Sequence, residues 1–217
     1  SPYAYCAWNP VKLVDPDGME IDDYFSKEGK YLGTDNAKTD NIRIINESRW
    51  NELSENGVID HADGYDNSEN FSSAHTKMSQ ESQLEVYQHY NPTKCQLFAT
   101  SSKHNPSQYG MITTTKGKKS KIGIYLEANY KGIAVSDHAN EITSMFVHEE
   151  QHAKDHIIKN FVFDYEYECS ALLTQFNHSS WLKCRTAFRH GVTNYGRKVS
   201  MLPSFVLDFW DPYATPF

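Results

Sequence analysis

The chain has 217 residues, 21 of them basic and 28 acidic, for a net charge of −7 with neutral histidine. That length suits one domain, or one domain with a short appendage, and is enough to bury a core without staples. The acidic balance argues against a protein built to grip phosphate backbones, so no nucleic-acid partner is expected, and no apolar run is long enough for a membrane span.

The first segment, SPYAYCAWNPVKLVDPDGMEIDDYF, is irregular: it carries Pro2, Pro10 and Pro16, and DPDG is a turn signal. It starts without Met and shows no signal peptide, so the expectation is a piece of a longer polypeptide whose export is directed from upstream. DDYFSKEGKYLGTD (22–35) reads as a hairpin around Lys-Glu-Gly, NIRIINE (41–47) as a strand and ESRWNELSEN (47–56) as a short helix. Residues 60–75 read as a polar loop whose acids, Asp60, Asp63 and Asp66, lack calcium-loop spacing. TKMSQESQLEVYQHY (76–90) reads as a helix that ends at Asn91-Pro92.

Residues 94–128 look extended, as KCQLFATS, YGMITTTK and KIGIYLEA. In the last of these Ile122, Ile124 and Leu126 alternate with Gly123, Tyr125 and Glu127, which predicts one buried face. The basic run KGKKSK (116–121) beside Gly and Ser reads as a solvated turn. From 137 the period becomes helical, with Ile142, Met145 and Phe146 on one face and Asp137 or Asn140 as cap. A second helix is predicted at roughly 164–183, and the Pro- and aromatic-rich tail is expected to lie extended over the body. Cys6, Cys95, Cys169 and Cys184 show no CxxC spacing, which argues against a Cys-only zinc site; an exported chain could bridge one pair, and the sequence does not choose it.

The chemistry concentrates in SMFVHEEQHAKDH (144–156). His148 and His152 are four apart, so on a helix their imidazoles lie within about 40° on one face and can reach a single ion. Glu149 sits about 100° round, near enough to act on a water held by that ion. This is H-E-x-x-H, the pattern in which zinc acidifies a water and polarises a carbonyl while the carboxylate moves the proton. A solvated His/Glu face is the bland alternative, but two histidines turned toward a core are costly without a partner.

A third protein ligand is needed. His156 is one turn further on, but three successive histidines span about 12 Å of helix axis, too far for one ion. The longer H-E-x-x-H-x-x-G-x-x-H pattern fails at Asp155 and Ile158. Glu168 lies sixteen residues past His152, room for the helix to end and a second to return, and it shares a face with Ala171 and Gln175. Glu166 faces roughly 160° away, so only one of the two can serve, and Glu168 is favoured. Tyr165, Tyr167, His178, His190 and Tyr195 are candidates for an oxyanion donor.

HEEQH (148–152) followed by ECSALLTQ (168–175) resembles the gluzincin group of zincin metallopeptidases, in which a Glu of an E-x-x-A stretch on the next helix is the third ligand. The resemblance implies an α+β, zincin-like fold: a small mixed β-sheet packed on an active-site helix, with a second ligand-bearing helix. It implies Zn2+ as cofactor, His148, His152 and Glu168 as metal ligands and Glu149 as catalytic base. It further implies an edge strand that pairs with extended peptide substrate, for which KIGIYLEA is the candidate. Where the family has Asp or Tyr after the alanine, this chain has Leu172, so the partner of a ligand histidine is not identified.

At the other end, SPYAYCAWNPVKLVDPDG is similar to the end of the RHS-repeat-associated core of bacterial polymorphic toxins, of the Bacteroidetes type. Pro10, Asp15, Pro16 and Gly18 match its P-x-x-x-x-D-P-x-G. That core is followed by variable C-terminal domains, and in the family the junction is associated with self-cleavage in which Asp15 would take part. The expected division is residues 1–23 as core end and junction and 24–217 as a zincin-like metallopeptidase domain. The expected protein is a secreted or cell-surface toxin with a peptide or protein substrate and an immunity protein as partner. Two rival readings are a catalytically inactive zincin-like binding module and a cell-wall peptide amidase or peptidase.

Overall fold

Asp23–Phe25 (β1) and Tyr31–Thr34 (β2) form an antiparallel hairpin. Its turn closes at Gly29, whose φ of +83° and whose approach to the Ser82 carbonyl, 2.2 Å from where a Cβ would stand, both require glycine. The computed structural model to which this hairpin belongs describes residues 21–92, 95–100, 110–116, 119–126, 135–158, 164–200, 202–203 and 206–207. The DPDG junction and the last ten residues, 208–217, lie outside them. The expected boundary between residues 23 and 24 runs through β1.

Ile42–Ile45 (β3) pairs parallel with β1, and Ser68–Asn70 (β4) pairs antiparallel with β3, giving a mixed sheet in the order β2-β1-β3-β4. Glu47–Leu53 (α1) follows β3, capped by the Asn46 side chain. The stretch 60–75, expected as a loop, is structured instead: His61–Asp66 (α2), β4 and Phe71–Ala74 (α3). Asp60 caps α2 through the Ala62 amide, and Phe71 and Ala74 are buried, so tertiary burial overrides the polar composition. Gln80–His89 (α4) is capped by Ser79.

A second mixed sheet is made of Gln96–Thr100 (β5), Met111–Lys116 (β6) and Lys119–Tyr125 (β7), in the order β5-β7-β6 with β5 parallel and β6 antiparallel to β7. The expectation that KIGIYLEA is an edge strand is wrong, because β7 is the central strand. Residues 122–126 are all buried, on both faces, and Gly123 gives up its side-chain volume to Phe98 and Ile112. Among the described residues β5 and β6 are the edges, and Lys116, Lys119 and Lys121 are exposed at the β6–β7 turn.

Ala139–Ile158 (α5), Asp164–Phe176 (α6) and Thr186–Val199 (α7) complete the architecture, which is α+β. The N-terminus of α5 is capped from afar: the Asp40 carboxylate accepts from the Asn140 amide and side chain and from His138. Asp137 instead accepts from the Ser72 amide and hydroxyl on α3. The principal core joins both sheets to α5 through Phe25, Ile42, Phe71, Ile122, Ile124 and Phe146. A smaller core of Leu172, Phe176, Trp181, Val192 and Leu207 holds α6 to α7. Cys169 and Cys184 are free thiols. No helix of the described residues is long and apolar enough to cross a membrane.

Candidate metal centre

The first turns of α5 are anchored on their apolar side by Ile142 and Phe146, both fully buried, and by Glu141, which accepts from Arg185 at 2.7 and 2.9 Å and from Ser136 at 2.6 Å. Two turns later the same helix presents His148 and His152, whose Nε2 atoms face one another at 3.0 Å. The α6 helix packs back against α5 in the antiparallel sense. Gln175 donates to Ser144 at 3.0 Å, and Gln151 reaches Ser170 at 3.3 Å. Just before the Ser170 brace on α6, Glu168 sets its carboxylate 3.6 Å from His148 Nε2 and 3.5 Å from His152 Nε2.

That triangle has the size of a metal site. Ligand atoms at about 2.0–2.1 Å from a tetrahedral ion stand about 3.3 Å apart, and the three separations here are 3.0, 3.5 and 3.6 Å. Glu168 Oε2 is buried and without a hydrogen-bond partner, which an ion would satisfy. Donor chemistry agrees: two neutral imidazoles and one carboxylate suit zinc. His148 Nδ1 is also buried, and no described residue supplies the second hydrogen bond that would orient that ring; Leu172, the residue after Ala171, offers it no polar group. Leu172 packs instead on α7, 3.1 Å from where a Cβ on Gly196 would stand.

The electrostatics are those of a mutually stabilised cluster. Burial opposes ionisation of Glu168, yet the imidazoles of His148 and His152 beside it hold its carboxyl far below the usual carboxylate range. Burial likewise opposes protonation of His152, and Glu168, Glu149 and Asp155 together overcome it and raise its pKa. Glu149 is buried, with 5 % of its surface exposed. Its carbonyl accepts from the Thr113 hydroxyl at 2.8 Å, which fixes edge strand β6 beside the H-E-x-x-H turn.

Comparisons with protein-family models, with curated proteins and with solved structures find no match.

The other candidates separate clearly. His156 is exposed and stacks on Tyr167 at 4.4 Å, outside the cluster. Glu150 pairs with Lys154, and Glu166 belongs to no group of converging ligand atoms among the described residues. His178 bonds Ser180, and His190 lies inside α7. Of the five oxyanion candidates, Tyr195 is the one whose phenol hydrogen-bonds to Glu168; burial first, then the charges of Glu168 and Glu149, push its pKa up and keep it protonated. Thr113 was not foreseen. Its one signal in the sequence is the Thr run 113–115 in an extended stretch.

Proposed function

We propose that the chain is a zinc-dependent endopeptidase domain in which His148, His152 and Glu168 hold the metal and Glu149 is the general base. The observation that carries this reading is the closure of two histidines and a glutamate from separate helices to 3.0–3.6 Å, directly beside a buried Glu149. Zinc bound there would supply a Lewis acid and an acidified water.

Everything else falls to the chain itself. Glu149 takes the proton of the attacking water and passes it to the leaving amine. In the free chain the Tyr195 O–H is given to Glu168; with substrate bound it turns instead toward the oxygen on which negative charge develops. Strand β6, tied to Glu149 by Thr113, is the edge on which an extended peptide adds as a further strand, its backbone amides and carbonyls supplying the pairing.

The DPDG segment supports placing this domain at the C-terminal end of an RHS-type protein, secreted or at the cell surface, acting as a toxin on a peptide or protein substrate, with an immunity protein as natural partner. The test of the chemistry is Glu149→Gln. The variant should bind zinc like the parent while hydrolysis of a fluorogenic peptide library falls by about 10²–10⁴-fold. Undiminished hydrolysis would remove Glu149 from its role, and a zinc-loaded parent that cleaves nothing would point to the binding module instead.

A further inference from the structure

A second convergence of ligating side chains lies on elements that contribute nothing to His148, His152 or Glu168. Asp22 precedes β1, Asp35 follows β2 and His61 opens α2, and each brings a ligand atom within 4.8 Å of the other two. Asp22 is fully buried and Asp35 is 3 % exposed.

Both carboxylates are held rigidly. Asp22 Oδ1 accepts from the Thr39 hydroxyl at 2.7 Å and from the Asn41 amide and side chain at 2.8 and 3.0 Å. Asp35 Oδ1 accepts from the amides of Asp22 and Ala37 at 3.1 and 3.0 Å. Asp35 Oδ2 accepts from the Tyr24 hydroxyl at 3.1 Å and meets His61 Nδ1 at 2.8 Å. Fixing a ligand carboxylate through its other contacts is how proteins orient metal donors before the ion arrives.

Asp22 Oδ2 is the exception: it is buried and has no hydrogen-bond partner. Such an oxygen costs stability unless something positive meets it. Arg43, the buried cation of this region, does not, since its nitrogens go to Ser68, Asn70 and the Tyr65 carbonyl. The group meets solvent at the His61 ring, whose side chain is 44 % exposed.

We infer that Asp22, Asp35 and His61 form a second divalent-cation site, structural in role, that clamps the start of β1, the loop after β2 and the N-terminus of α2. The imidazole and the small donor number select zinc or a similar first-row ion over calcium, which takes 6–8 oxygens. On binding, His61 coordinates as the neutral ring with its one proton on Nε2: a proton held on Nδ1 passes to Nε2 or to solvent, the Nδ1 lone pair goes to the ion, and the direct His61–Asp35 contact becomes a shared bridge through the metal. The nitrogen–oxygen separation need widen only from 2.8 Å to the roughly 3.3 Å of two ligands on one tetrahedral centre.

The experiment uses the full chain, equilibrated with zinc chloride and freed of excess, with zinc per chain and thermal midpoint both read. The parent should carry two ions. Asp22→Asn and His61→Ala should each carry one, keep peptide hydrolysis, and show a smaller zinc-dependent rise in thermal midpoint. His61 is half-exposed, so its variant decides the matter should Asp22→Asn fold poorly. His148→Ala/His152→Ala should retain one ion. Parental zinc content in both His61→Ala and Asp22→Asn would overturn the second site, as would a parent whose single ion is lost in His148→Ala/His152→Ala. A single ion lost instead in His61→Ala would uphold this site and sink the peptidase reading.

Discussion

His152 Nε2 and Glu168 Oε1 stand 3.5 Å apart, joined across the antiparallel contact of α5 and α6. The pair ties the candidate chemistry to a helix–helix interface: whatever separates α5 from α6 also takes the carboxylate away from the imidazoles. Glu166, two residues earlier, cannot substitute, because a step of two on a helix turns the side chain by about 200°.

Removal of the carboxylate ligand is the sharpest test of the centre. Glu168→Ala should lower zinc affinity by more than the ~10–100-fold that loss of a supporting partner around a metal costs. Glu166→Ala should leave affinity at the parental level. Competition with a chromophoric chelator reads both, and equal losses would break the assignment.

Tyr195 touches Glu168, so its role must be separated from a merely supportive one. Tyr195→Phe should lower kcat by about 10²–10³-fold, the usual cost of an oxyanion donor, with KM and zinc content nearly unchanged. Loss of zinc in this variant would mean that the phenol acts by holding the ligand.

Ala171 is fully buried, on the stripe of α6 that also carries Glu168 and Gln175. A larger side chain there must push α6 off α5. Ala171→Leu should destabilise the fold by ~1–3 kcal/mol in chemical denaturation and weaken zinc binding in parallel. A stable variant with parental zinc affinity would show that the close approach is not needed.

Asp23 is a source of pH dependence away from the centre. Burial pushes its pKa up to about 6, against which hydrogen bonds from Tyr90 and Tyr31 work only in part. The folded pKa lies above the unfolded one, so the folded state holds the extra proton between the two values. The contribution to stability is therefore greatest below about pH 4 and is lost as pH rises through about 6. Asp23→Asn should gain on the order of 2 kcal/mol relative to the parent between pH 4 and pH 7, measured by urea unfolding at both. A constant difference would contradict the burial argument.

Sequence alone was enough for whatever is local. The spacing of His148, Glu149 and His152 fixes their angles as soon as the segment is helical, because helix period needs no partner. Preference for Glu168 over Glu166 followed from the same arithmetic, and the turn at Gly29 marked its hairpin. Structure in the 60–75 stretch was hidden, since Phe71 and Ala74 become informative only once β3 and α5 are there to bury them. Strand order was hidden too: alternation in residues 121–126 says that a face is buried and is silent on how many neighbours the strand has, so β7 passed for an edge.

The sequence by itself determined the helical face that presents two imidazoles and a base, and the chemistry those groups can support. Only the tertiary structure decided that Glu168 closes the triangle, that Tyr195 and Thr113 join it, that Asp40 caps α5 from a hundred residues away, and that Asp22, Asp35 and His61 meet. The physical reason is range: periodicity and turn chemistry act over a few residues, whereas docking of helices and sheets is set by burial between segments that the chain order does not bring together.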